Sequence, residues 1–253
     1  MDRPRSILVI IATLGVIVFN WFAASGRINN ITPEAISAKY PTVITPAGYT
    51  FAIWSLIYLG LIVFSIYQAL PANLAKFRRI RTLYIFTCVL NCSWLFLWHH
   101  DMVLPAFGVI LILLAVLLYI NIELKETGSY AEYWAAAAPF AIYFGWVTAA
   151  AIVNFGVVLY SLGYQMPGNS GILFGSVCLL FAAAIGIFVR VKLTNYLFPM
   201  SIAWALTGIA VKQSGKTLLV SAAAVGTVAC LIAACSFVMN LNSSISPRIK
   251  VNE

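Results

Sequence analysis

The chain alternates between long apolar runs and short polar punctuation. Predominantly apolar stretches of 17 residues or more, with no charged side chain, recur along it. That is the length a helix needs to cross a bilayer, about 20 residues for ~30 Å of hydrocarbon. Eight spans follow from the pattern: residues 7–24, 49–70, 82–98, 103–121, 133–160, 171–189, 196–211 and 218–239. Helices are the expected form, because lipid leaves an open backbone unsatisfied and these runs are too long for barrel strands. The fifth span is long enough to tilt or project from the membrane. The third and seventh are short, and Pro199 and Lys212 crowd the ends of the seventh. The longest non-apolar stretch, residues 25–48, carries Pro33, Pro41 and Pro46. It reads as an ordered or semi-ordered loop rather than a helix throughout. Residues 160–171, with several Gly and Pro167, form a second loop. Arg3 and Arg5 ahead of the first run, and Ala23-Ala24-Ser25 after it, also fit a cleavable signal peptide. The run is longer than a signal core, so a retained helix is expected.

Composition removes several alternatives. Apolar residues make up 62% of the chain and charged ones 9%, where a soluble domain is about a quarter charged. So few charges cannot cover the apolar surface of a soluble monomer. The five Cys all lie inside apolar stretches, which excludes a disulfide scaffold. The net charge of +8 is unevenly placed. With eight crossings, eleven of the fifteen Lys and Arg fall on the side of both termini and four on the other. Both termini are therefore expected to be cytoplasmic. The basic run at 76–81 is read chiefly as that topology signal, with docking of anionic lipid headgroups as the alternative. Nothing resembles a nucleic-acid module.

Candidate chemistry is sparse. No Asp, Glu, Lys or Arg falls near the middle of a span, which argues against an ion-coupled pump and against a retinal protein. His99 and His100, beside Asp101, have two readings: ligation of haem iron or a metal, or an interfacial cap on the last helical carbonyls. The cap is the expectation. Cys88 and Cys92 share a helix face but are too few for a metal site. Walker, nucleophile-elbow and zincin motifs are missing, and Glu123, Glu126 and Glu132 are expected to be solvated. No catalytic residue, metal ligand or required cofactor is assigned. Asn20, Asn91, Asn154, Ser93 and Thr148 lie at membrane depth, where such groups join helices or orient a ligand. The small-residue pairs Gly171/Gly175 and Ala222/Gly226 permit close helix contact, including contact with a partner protein.

The aromatics carry more. Of seven Trp, Trp21, Trp98 and Trp134 sit near span ends, where an interfacial belt accounts for them. Trp54, Trp94, Trp146 and Trp204 lie deeper. Core filling is the default for any one of them. Several converging on one cavity would offer flat faces to a planar ligand.

Three segments resemble one family. The run from Thr45-Pro46-Ala47-Gly48-Tyr49 through Phe51, Ile53-Trp54 and Tyr58 resembles the second-helix motif of the TspO/MBR family, the tryptophan-rich sensory or translocator proteins. Leu90-Asn91-Cys92-Ser93-Trp94 resembles the family's third-helix Leu-Asn-x-x-Trp. Tyr143-Phe144-Gly145-Trp146, with Asn154 eight residues on, resembles the fifth-helix motif. Departures are Phe51-Ala52 in place of a Gly-Pro, Ile142 in place of a Pro, and three spans beyond the usual five.

The resemblance implies a TspO-like five-helix bundle over residues 1–165, and the span pattern adds a three-helix transmembrane extension over 166–241 and a cytoplasmic tail over 242–253, together an all-α integral membrane protein. The resemblance also implies a bundle cavity roofed by the first loop, faced by Trp54 and Trp146. Phe51, Tyr58, Asn91, Trp94, Tyr143, Ala150 and Asn154 would line or support it. The ligand so implied is a hydrophobic planar molecule, chiefly a tetrapyrrole such as porphyrin or haem, with sterol or carotenoid as other candidates. The function is that of a multi-pass sensor, receptor or translocator, not an enzyme, although weak porphyrin breakdown belongs to the resemblance. The alternatives are a membrane enzyme or accessory subunit acting on lipid, isoprenoid or carotenoid, and an assembly subunit of a larger complex. Membrane lipid is one expected partner and a second copy, as a homodimer, another.

Overall fold

The computed structural model describes residues 2–239. Along them run α1 (Asp2–Ala24), α2 (Pro33–Lys39), a 3-10 turn (Gly48–Ala52) leading into α3 (Ile53–Tyr67), α4 (Arg78–His99), α5 (Val103–Glu123) and the single turn α6 (Tyr130–Glu132). A π-helical turn (Tyr133–Ala137) follows, then α7 (Ala138–Ser161), α8 (Gly168–Lys192), α9 (Leu197–Lys212) and α10 (Thr217–Met239). All eight expected spans are helical. Seven are long and apolar enough to cross a membrane, while α9 is a shorter apolar helix. At 1.5 Å per residue its 16 residues reach about 24 Å. Residues 242–253, read as a tail, lie outside the described residues.

Helix α4 begins at Arg78, four residues ahead of the expected span. Its first turn is charged yet helical, because those charges are satisfied locally. Arg78 makes a double contact with Asp2, Arg79 pairs with Glu123 at 3.1 Å, and Lys76 pairs with Glu132. Arg81 is fully buried and donates to the carbonyls of Gln68, Asn73 and Leu74 and to the Gln68 side chain. It thereby ties the loop after α3 to the first turn of α4. The basic run is thus engaged within the chain. Glu132 corrects the solvated reading: its side chain is 3% exposed and it also accepts from the Gly128 backbone N–H.

Helices α1, α4, α5, α7 and α3 close a ring in that order, each packed on the next. Between helices in lipid the drive is close packing and hydrogen bonding rather than water exclusion. Both occur here. Thr13 of α1 meets Ser65 of α3 and Tyr84 of α4, each at 2.6 Å. Asn20 donates to Asn91 at 2.7 Å. Phe64, Tyr84 and Phe140 stack edge to face in the lower core, with centroids 4.8 to 5.7 Å apart.

The last three helices join this ring through α9, which packs on α7 and is backed by α8 and α10. Gly145 makes the approach possible: a Cβ there would lie 2.6 Å from the Phe198 carbonyl oxygen and 2.8 Å from Ser201 Cβ. Asn121 and Asn195 bond at 2.8 Å, and Asn195 caps the Phe198 N–H at the start of α9. The small residues read as possible partner contacts are used inside the chain. Gly175 receives Val43 and Leu219, and Gly226 receives Leu206 and Ala183.

The first loop is more helical than its prolines suggest. Thr32 caps α2 by accepting from Ala35 N–H, and Pro33 takes the first helical position, where its missing N–H costs nothing. Straps hold the loop on the end of the bundle. Lys39 meets Asp101 at 2.7 Å, Asn29 donates to the His99 carbonyl at 2.8 Å, and Trp98 donates to the Pro33 carbonyl at 3.3 Å. Burial, and then Asp101, push the Tyr40 phenol up from its usual value, so it remains a neutral donor toward that carboxylate.

Candidate functional site

Beneath the first loop the ring encloses a cavity. Its aromatic wall comes from three helices and the 3-10 turn: Phe51 and Trp54, Trp94 and Trp98, and Trp146. The rings touch one another. Trp54 lies 6.4 Å from Trp94 and 6.3 Å from Trp146, and Phe51 sits edge-on to Trp146 at 6.0 Å. Ala149, Ala150, Val153 and Asn154 give α7 a low, flat wall. Small residues spaced by a helical turn leave room between facing indoles. Ser37 of α2 and Pro46 form the roof.

Of the nine residues expected at the site, Phe51, Trp54, Trp94, Trp146, Ala150 and Asn154 are brought to this lining. Tyr58, Asn91 and Tyr143 stand behind it. Tyr58 stacks under Trp54 with centroids 5.6 Å apart, and Tyr143 meets Trp54 edge-on at 5.8 Å. Asn91 is occupied in joining α4 to α1 through Asn20. Asn154 does both jobs, accepting from Trp94 Nε1 at 3.2 Å while it lines the cavity.

Thirteen residues line the cavity, and sequence reasoning missed seven of them: Ser37, Pro46, Trp98, Ala149, Val153, Ala205 and Ile209. Trp98 was placed in the interfacial belt but is 3% exposed and stacks on Trp94 at 6.1 Å. Its position one turn after Trp94 was the available signal. Ser37 was hidden in an unassigned loop. Ala205 and Ile209 come from α9 and complete the wall. Conversely Trp204, read as deep, is 38% exposed and lies outside the lining. Its indole donates to the Thr50 carbonyl at 2.8 Å, which fastens α9 to the 3-10 turn. Trp21 and Trp134 are exposed, as an interfacial belt requires.

Among the described residues six buried side-chain polar atoms lack a hydrogen-bond partner. Tyr58 Oη and Asn91 Nδ2 stand behind the cavity, and two, Ser37 Oγ and Trp146 Nε1, belong to its lining. A buried unpartnered donor costs about 1–3 kcal/mol, so both favour anything that brings an acceptor into the cavity. No lining residue is Asp, Glu, His, Lys or Arg. The two His are turned to their own helix, each Nδ1 2.8 Å from the carbonyl four residues back. Among the described residues no cluster of three or more His, Cys, Asp or Glu is placed to hold a metal.

The cavity is nearly closed. Its free space is about 30 Å³, room for water and little else, where small-molecule sites enclose about 300 to 1,000 Å³. A planar ligand therefore requires the roof or α9 to yield.

No curated protein and no solved structure matches the chain. A family model described as TSPO-like protein matches residues 6–237, a stretch that takes in α8, α9 and α10 as well as the five-helix ring. With seven helices of spanning length and that match over nearly the whole chain, the protein is an integral multi-pass membrane protein and belongs to the TSPO-like protein family.

Proposed function

We propose that the protein binds a hydrophobic planar ligand in the aromatic cavity and acts as a sensor or translocator for it, with a tetrapyrrole as the leading candidate. One observation carries this reading: four indoles from α3, α4 and α7 and a phenyl ring from the 3-10 turn surround a single space that also holds an unpartnered indole N–H and hydroxyl. Flat π-faces suit stacking, and the N–H suits a carbonyl or carboxylate at the ligand's edge. The lack of any ionisable lining group supports binding over acid–base chemistry.

Titration of the purified protein with protoporphyrin and with haem, followed by Trp fluorescence, tests this. Saturable, stoichiometric quenching is expected, with apparent affinity at least tenfold weaker in the Trp54→Phe/Trp146→Phe variant. Quenching that never saturates, or that is the same in the variant, would overturn the reading.

Orientation belongs to the same proposal. The end bearing the first loop faces away from the cytoplasm, and both termini face it. Membrane-impermeant amine labelling of intact cells is expected to reach Lys39 and Lys216 and to spare Lys76 and Lys192; the reverse pattern would invert the protein.

A further inference from the structure

Three voids lie in a row. The aromatic cavity shares Ala149, Val153, Ala205 and Ile209 with a smaller void of about 10 Å³ between α7, α8 and α9. That void shares Ile44 with a third space, which opens at the first-loop end. The third space is the largest, about 220 Å³ against 30 Å³ for the aromatic cavity. It lies between the first-loop turn at 41–44, the last turns of α7 and the α7–α8 loop.

Ile44 is the only residue common to the middle void and the third space. It is fully buried, and both helices that flank it present glycine. A Cβ on Gly156 of α7 would come 2.8 Å from Ile44 Cδ1, and one on Gly175 of α8 would come 3.4 Å from Ile44 Cγ2. The side chain thus fills a socket that two helices leave vacant. Its backbone belongs to a loop, held by a Thr42–Thr45 turn and by Gln213 donating to the Thr42 carbonyl at 3.3 Å. Withdrawing Ile44 breaks no helical hydrogen bond.

We propose that the 220 Å³ space is a ligand vestibule, and that Ile44 is the plug between it and the aromatic cavity. Its walls of Val43, Leu159 and Phe174 take an apolar leading face, while Thr42, Tyr160 and Gln165 can donate hydrogen bonds to a polar trailing end. The ligand class is an amphiphile with a flat or apolar body and oxygen acceptors at one edge. The route runs along α8 and α9, so these helices carry a function in ligand access rather than only packing. The vestibule deepens the binding reading above and rests on it for the probe.

The test is stopped-flow quenching by protoporphyrin in nanodiscs. Three proteins are compared: the full chain, Ile44→Ala, and Gln165→Cys in a Cys235→Ser background alkylated with a bulky maleimide. The Ile44→Ala change is expected to raise association and dissociation rates together, about tenfold, with Kd within twofold. A barrier change does this and a change of binding contacts does not. The alkylated mouth is expected to lower both rates. Wild-type binding with neither variant altering either rate would overturn the vestibule and leave the binding reading standing. If protoporphyrin gives no saturable quenching in any form, the binding reading fails. Acrylamide quenching then decides the route alone: a larger Stern–Volmer constant in Ile44→Ala with unchanged circular dichroism supports it, and an equal one overturns it.

Discussion

A Gly208→Leu variant is expected to lose about 3 kcal/mol or more of stability and to melt well below the parent protein in detergent. Gly208 is where α9 meets the 3-10 turn. A Cβ there would fall inside the contact shell of Thr50 Oγ1, and would also lie 2.8 Å from Thr50 Cγ2 and 2.9 Å from Thr50 Cβ. Rotating Thr50 does not relieve the Cβ contact, and Thr50 is fully buried. The backbones must therefore part. That separation also breaks the bond from Ala47 N–H to the Gly208 carbonyl, 3.0 Å, and strains the Trp204–Thr50 bond. Overpacking a closed contact costs about 1–3 kcal/mol before such losses are added. Gly108 of α5 is the control, since a Cβ there meets nothing within 4 Å. Gly108→Ala is expected to stay within about 1 kcal/mol of the parent. Equal melting of Gly208→Leu and the parent would show that α9 is not seated on the turn.

An Arg81→Met variant is expected to lose about 3–5 kcal/mol, read by the same melting experiment. The guanidinium supplies donors to three backbone carbonyls and one side-chain oxygen at a helix end that water does not reach. Each acceptor stranded in a buried place costs about 1–3 kcal/mol, and relief of the buried charge returns part of the total. Arg81→Lys keeps the charge but not the planar fork, so it is expected to fall between. Arg79, whose side chain is 67% exposed in its pair with Glu123, should matter far less: Arg79→Met is expected to cost no more than about 1 kcal/mol. Arg79→Met costing as much as Arg81→Met would mean that net charge, not the cap, is at work.

The membrane helices were legible because bilayer thickness imposes a long apolar run whatever the fold. The expected spans differ from the helices mainly at their ends, where charge was taken as a boundary. At α4 that assumption fails, because Asp2, Glu123 and the carbonyls around Gln68 receive the cations. The three motifs led to α3, α4 and α7, and six of nine expected residues line one cavity. Depth along a helix was legible; rotation about it was less so. Trp98 and Trp204 were misplaced for that reason, since a span-end Trp turns inward or outward according to neighbours the sequence does not name. Ala205 and Ile209 were invisible for another. Nothing in an apolar helix such as α9 marks one small residue as a cavity wall, and only the seat of Gly208 on Thr50 settles which face it shows.

The shortness of α9 has an effect beyond the chain. Its residues Met200, Trp204, Thr207 and Val211 are exposed at helical spacing, so one stripe of it meets lipid. That stripe belongs to a helix of about 24 Å in a bilayer core of ~30 Å. A helix that falls short is met by local thinning, by flanking side chains reaching outward or by association with a neighbour, and here the short helix is the one whose Ala205 and Ile209 wall the aromatic cavity. Lipid thickness is thus expected to act on the helix that closes the cavity.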